Sequence, residues 1–248
     1  MRETVVVTGM VLSSSAVGEY DRRLVLLTRE RGKITAFARG ARRPGSSLLA
    51  ASRPFAFGQF YVYEGRSAYT LHGVQIDCYF EEFGTDIEGT AYGCYFLELA
   101  GYFSRENIDG APMLNLLYLS LKALLKPALP DRLVRRIFEL RTLVIQGEYP
   151  EVFHCPSCKE ALEEGVYIPE KDGVFCGKCR PGQNGGIPLS APALYAVQYI
   201  FSAPLEKLYT FVLKEEALQE LERMAEACRK RYARQEFAAL SVLDAITT

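Results

Sequence analysis

The sequence predicts an α+β chain: a small antiparallel β-barrel comes first, and a helical body follows that is interrupted once by a cysteine-bearing segment. Three observations carry this. Five short runs rich in Val, Tyr, Phe and Thr are confined to the first 79 residues; the apolar period lengthens from two to about four after Phe80; and two CxxC pairs fall between residues 151 and 187. The expected divisions are a barrel over 1–79, a helical domain over 80–150 and 188–248, and a cysteine module inserted at 151–187.

The five runs are residues 4–12 (TVVVTGMVL), 22–29 (RRLVLLTR), 33–39 (KITAFAR), 55–64 (FAFGQFYVYE) and 68–76 (AYTLHGVQI). β-branched and aromatic residues fit a pleated, half-buried surface, so each reads as a strand. Arg31-Gly32 and Gly65-Arg66 supply tight hairpins, and Arg42-Arg43-Pro44-Gly45-Ser46-Ser47 a longer link. Five antiparallel strands in such a short span suit a small closed barrel of the oligonucleotide-binding (OB) kind, with an SH3-like barrel as the alternative.

Beyond Phe80, Thr85-x-x-Glu88 reads as a capping box ahead of Ile87, Ala91, Tyr95, Leu99 and Phe103. Helices are expected over 112–126 and 130–147, bounded by Pro127 and Pro130, with Leu133, Ile137, Leu140 and Val144 as an apolar stripe. Two more are expected over 192–202 and 214–234, the latter burying Leu218, Leu221, Ala225 and Cys228. The segment between reads as loop and ends in a flexible PGQNGG run.

Cys155-Pro-Ser-Cys158 and Cys176-Gly-Lys-Cys179 are separated by seventeen residues, the spacing of a four-thiolate zinc site. Four sulfurs fill a tetrahedral sphere, so the expected ion is one structural Zn2+ with no open position for catalysis. Gly177 is expected to ease the second turn. A redox dithiol is the competing reading, weakened by the absence of a βαβ context. His154 reads as a bystander, and Cys78, Cys94 and Cys228 as core residues.

The net charge of −1 conceals an uneven distribution. Residues 1–66 hold eleven Lys or Arg against five Asp or Glu, net +6, while the remainder is acidic. A basic module on an acidic body points to phosphate contact by one part of the chain. P-loop, dinucleotide, zincin and nucleophile-elbow motifs are absent, and there are two histidines, so a non-enzymatic role is expected. The odd cysteine count, Glu3 where a secretion signal would be basic, and the lack of a long apolar run point to the cytoplasm and away from the membrane.

Leu12-Ser13-Ser14, Gly18-Glu19-Tyr20-Asp21-Arg22, the run from Leu26 to Arg43 (LLTRERGKITAFARGARR), Leu48-Leu49-Ala50, Pro54-Phe55 and Tyr61 to Ser67 (YVYEGRS) together resemble the N-terminal domain of the RecO family of bacterial recombination mediators. The order of barrel, helices and cysteine module is similar to that family over nearly the whole chain. The resemblance implies a DNA-repair protein that binds single- and double-stranded DNA and anneals complementary strands. It further implies work with RecR and the single-stranded-DNA-binding protein, so that RecA loads onto coated DNA. Zinc is not part of that implication; the cysteine spacing supplies it.

Strand alternation places Lys33, Thr35, Phe37 and Arg39 on one face of the third strand. Such a face can neutralise phosphates and stack a base, although Phe37 also suits the barrel core. Arg42 and Arg43 follow in the link, and Arg22 and Arg23 open the second strand; all are expected DNA contacts. Phe55, Phe57, Tyr61 and Tyr63 are assigned mostly to barrel packing. Arg132, Arg135 and Arg136 border the stripe of the 130–147 helix, where they are candidates for the acidic tail of the single-stranded-DNA-binding protein or a solvated face. An RNA-binding translation or ribosome-assembly factor, and a barrel that docks proteins only, remain as competing readings.

Overall fold

The computed structural model describes residues 4–180 and 185–247. Most of the PGQNGG run, residues 181–184, lies outside the described residues.

Five strands, β1 (Thr4–Val17), β2 (Asp21–Thr28), β3 (Gly32–Ala38), β4 (Phe57–Tyr63) and β5 (Tyr69–Cys78), form a barrel in the order β1-β2-β3-β5-β4, with β1 pairing again to β4. Four pairings are antiparallel, but β3 meets β5 in parallel, Ala36 opposite Tyr69 and Ala38 opposite Leu71. This connectivity is that of the OB fold and corrects the all-antiparallel expectation. Inside are Val7, Val11, Leu24, Leu26, Ile34, Ala36, Phe60, Val62 and Leu71, the larger of which contribute about 1.5–3 kcal/mol each on burial.

β1 is longer than its apolar run suggests. Its first half pairs with β4 and its second with β2, and a register shift between Val11 and Ser13 bends it from one to the other. Beyond Leu12 the β1–β2 ribbon stands largely in solvent, so Ser13 to Val17 carry no alternating apolar signal.

The helices are α1 (Leu48–Ala51), α2 (Ile87–Phe103), α3 (Ala111–Leu124), α4 (Asp131–Gln146), α5 (Ala191–Ser202), α6 (Glu215–Tyr232) and α7 (Ala238–Thr247). The cap of α2 differs from the sequence reading: Asp86, not Thr85, accepts from the Gly89 amide at 2.9 Å, and Thr85 donates its hydroxyl to the Glu82 carbonyl instead. With the cap one position later, the aspartate satisfies the Gly89 amide in place of the Glu88 amide that a Thr85 cap would take. Gly147, at φ 71°, ends α4 in the left-handed conformation.

Residues up to Tyr118, with those from Phe237 onward, make one compact unit, and Leu119–Glu236 make the other. In the first, α2 and α7 pack together, and Phe237 sets its ring edge-on to Tyr95 at 5.7 Å. The β2–β3 turn is stitched to the α2–α3 connection: Lys33 and Asn107 amides donate to the Arg105 and Arg31 carbonyls at 3.0 and 2.9 Å. Gly32 is required there. At φ +63° its absent Cβ would lie 2.1 Å from the Arg105 carbonyl oxygen.

In the second unit α4, α5 and α6 pack together, and the cysteine segment holds a sheet that the sequence does not reveal, β6 (Gly165–Ile168), β7 (Gly173–Phe175) and β8 (Ile187–Leu189), in the order β7-β6-β8. Strands of three or four residues are too short to show a period. Gln198 of α5 donates to the Val152 and Leu162 carbonyls at 2.9 and 3.0 Å, and Tyr232 of α6 donates to Asp172, tying this segment to the helices. Among the described residues no helix is long and apolar enough to cross a membrane.

Candidate nucleic-acid interface and metal centre

The sulfurs of Cys155, Cys158, Cys176 and Cys179 all lie within 4.8 Å of one another, and Cys158 and Cys176 are 3.8 Å apart. Tetrahedral coordination with zinc–sulfur bonds of about 2.3 Å puts sulfurs about 3.8 Å apart, so this donor set fits such an ion. The first knuckle closes through the Lys159 amide on the Cys155 carbonyl at 2.9 Å, the second through the Cys179 amide on the Cys176 carbonyl at 3.1 Å. Burial alone would raise the Cys155 thiol, but backbone amides of Cys158, Cys176 and Ser157 donate to its sulfur and bring it down to about 6. These amides favour the thiolate that a metal needs. Gly177 does not play the part expected of it: its φ is not positive, and Lys159 at φ 66° is the left-handed residue of the pair of knuckles. His154 is exposed and bridges Ala161 through its backbone, outside the sulfur cluster.

On the barrel, burial along β3 alternates residue by residue, with Ile34, Ala36 and Ala38 inside and Lys33, Thr35 and Phe37 outside. Phe37 is therefore not a core ring. The outer face is open at one end only. At the other, Leu27 is fully buried, and the Lys33 ammonium donates to the Gly101 carbonyl at 2.5 Å, near the C-terminal end of α2. Burial, and secondarily the Arg105 charge, lower the Lys33 pKa. At the open end Arg23 lies opposite Phe37 in the β2–β3 register, and Arg23, Arg39, Arg42 and Arg43 are all exposed. Arg43 lies over the Tyr20 ring at 5.2 Å, and Arg42 donates to the Gly18 carbonyl at 3.2 Å, which holds both beside the β1–β2 turn. Among the described residues none of these four pairs with a carboxylate. Arg22, in phase with Leu24, is half-buried and donates to the Ser14 hydroxyl at 2.9 Å.

β4 corrects a further expectation. Gly58, Phe60 and Val62 point inward, so Gln59, Tyr61 and Tyr63 lie on the outside. Tyr63 stacks on His72 at 4.2 Å, and Tyr61 lies 6.3 Å from the same ring. Phe57 packs on Tyr118 at 4.7 Å, and Phe55 is buried before the strand begins. The signal is present in the sequence, since Gln59 marks by its polarity the face it shares with Tyr61 and Tyr63.

The α4 arginines already meet glutamates of their own unit. Arg135 and Arg136 are 8% and 9% exposed and meet Glu139 at 3.0 and 2.8 Å, with Glu226 of α6 at 3.7 and 3.5 Å. Arg132, more exposed, is held between Glu215 and Glu222 at 3.2 and 2.6 Å. Cys228 is buried as expected, whereas Cys78 and Cys94 are only partly covered.

An OB barrel with an open cationic face, joined to a helical unit that carries a four-cysteine cluster, defines a class of nucleic-acid-handling protein. Residues 1–79 match the family model for the Recombination protein O N terminal, and residues 84–240 that for the Recombination protein O C terminal. The chain is similar to the DNA repair protein RecO of Acetivibrio thermocellus, at 29% identity over 96% of this chain and 97% of that one. It is also similar to those of Symbiobacterium thermophilum (33%, 89% of each chain) and Bacillus subtilis (29%, 91% of this chain and 88% of that one). The chain belongs to the RecO family, and its role lies in DNA repair and recombination.

Proposed function

We propose that the open end of the barrel binds single- and double-stranded DNA through phosphate contacts and lets complementary strands anneal. The observation that carries this reading is the set of exposed arginines 23, 39, 42 and 43 with no internal counter-charge among the described residues. A guanidinium that has no carboxylate partner is free to displace counterions from a phosphate backbone. Neutralising two backbones without reading bases leaves base pairing to select the product. Lys33, engaged by the Gly101 carbonyl, contributes less than the sequence suggests, and Arg22 takes part from the rim.

In this reading residues 1–79 are the DNA-binding module, and the four cysteines hold one Zn2+ with a structural role. With RecR, the protein loads RecA onto DNA coated by the single-stranded-DNA-binding protein and performs no covalent chemistry itself. The acidic tail of that coating protein is taken by the helical unit, where Arg132 is the most exposed of the three α4 arginines. The test is annealing of complementary strands precoated with their binding protein. Acceleration by the wild-type chain, abolished in a triple Arg39→Ala, Arg42→Ala, Arg43→Ala variant, is the expected result; equal acceleration by the two would place the DNA site elsewhere.

A further inference from the structure

We infer that the outer surface of β4 and β5 is a base-stacking platform for single-stranded nucleic acid, centred on Tyr63 and His72 and flanked by Tyr61 and Phe37. The inference deepens the barrel-binding reading above and rests on it.

The platform is made by an irregularity in β5. Tyr61 pairs with Gly73 and Val62 with Leu71, so His72 is an extra residue on its strand, a bulge. Bulges re-aim a side chain, and this one leaves His72 exposed with its ring stacked on Tyr63 at 4.2 Å and an interplanar angle of 20°. Gly73 lies opposite Tyr61, and even a Cβ there would make only ordinary contact with Tyr61, at 3.6 Å. The rings are not needed by the core, which Phe60, Val62 and Leu71 fill from the opposite face.

The pairing register ties this platform to the cationic end of the barrel. Arg23 lies opposite Phe37, Phe37 opposite Thr70, and Thr70 opposite Tyr63, so one row of outward side chains runs across β2, β3, β5 and β4. Past Tyr63 the β4–β5 turn carries Glu64 and Arg66, both exposed. The row thus has a cation, Arg23, at its β2 end and rings along it, with Thr70, Gln59 and Gln75 around the rings. A stacked ring pair on the outer surface, in a row that ends on an arginine, suits a strand whose bases are unpaired and can add to the stack. Duplex DNA keeps its bases within its own stack and gains nothing from the rings.

The test compares binding of an oligo-dT strand and of a duplex of equal length, by fluorescence anisotropy at several salt concentrations. A Tyr63→Ala, His72→Ala double variant should lose roughly 5- to 30-fold in single-strand affinity for a stacked base, at unchanged salt slope and unchanged duplex affinity. Tyr63→Phe should bind as wild type, because the interaction is made by the ring face and not by the hydroxyl. Photo-crosslinking of a strand carrying 5-iodouracil should map to Tyr63 or His72 by mass spectrometry. If the double variant keeps its thermal stability and binds oligo-dT as tightly as wild type, the platform is refuted; if it loses self-association or binding to a protein while keeping oligo-dT, the face is a protein interface and the inference also fails. The underlying reading fails separately, when the triple Arg39→Ala, Arg42→Ala, Arg43→Ala variant keeps the wild-type salt slope.

Discussion

The barrel and α4 each carry a cluster of arginines and put them to opposite uses. Arg23, Arg39, Arg42 and Arg43 stand in solvent with no carboxylate at hand among the described residues, whereas Arg132, Arg135 and Arg136 are each gripped by glutamates of the same unit. Glu139, one turn along the same helix, pairs with Arg135 and Arg136, and the glutamates that complete the network, Glu215, Glu222 and Glu226, lie some ninety positions further along the chain. A cluster of basic residues therefore shows neither a ligand site nor a structural network until its counter-charges are located. Buried guanidinium groups must be paired, because an unpaired buried charge costs several kcal/mol, and pairing removes them from the pool available to phosphate.

The largest test of this contrast concerns the metal. One zinc per chain is expected by elemental analysis of protein purified under reducing conditions. Because structural zinc supplies on the order of 10–16 kcal/mol apparent in small modules, chelation or Cys155→Ser should unfold the cysteine segment and lower the melting temperature of the helical unit. DNA affinity should fall far less, since the cluster lies outside the barrel's unit.

Next in size, Glu139→Ala should destabilise the helical unit by about 3–5 kcal/mol in urea titrations, as it leaves Arg135 and Arg136 buried with their main counter-charge gone. A change under about 1 kcal/mol would show that these arginines are not held as described.

Acid should weaken the same network. Burial alone would raise the Glu226 carboxyl, but the hydrogen bond and charge of Arg229, with Arg136 and Lys230, outweigh it and hold the group at about 2. A carboxyl lowered on folding stabilises above its unfolded pKa near 4.5, and that contribution disappears as the pH falls from there through about 2. The urea midpoint should fall over this window, and a Glu226→Gln variant should show a flatter profile.

Arg132→Ala should cost under about 1 kcal/mol, because its pairs are exposed and screened. Smallest in stability is the triple Arg39→Ala, Arg42→Ala, Arg43→Ala variant, expected within about 0.5 kcal/mol of wild type. Its DNA binding should change a great deal, with the slope of log affinity against log salt falling by about 0.7 for each phosphate of a single strand that the variant no longer neutralises. A drop in stability at an unchanged slope would reverse the assignment of the two arginine sets.

Much of the molecule is legible in its residues. The five strands, the α2 to α6 helices and the cysteine cluster follow from local pattern, since alternation, helical period and CxxC spacing are properties of neighbours in the chain. Pattern misleads where neighbours in space intervene: at β1 past Leu12, where a solvated ribbon carries no alternation; at Lys33, covered by α2; and at Tyr61 and Tyr63, whose aromatic character suggests a core that they do not join. α7 is absent from the sequence expectations altogether, although Leu240 and Leu243 within it are buried.

By itself, then, the chain determines that it builds an apolar-lined barrel, amphipathic helices and a four-cysteine cluster, because these depend on side-chain period and short-range geometry. Only tertiary structure decides which arginines meet the distant glutamates of α6, which end of the barrel stays open, and that a one-residue bulge sets His72 against Tyr63. Those outcomes depend on contacts between residues far apart in sequence, and the chemistry of a charge or a ring is fixed by what stands against it in space.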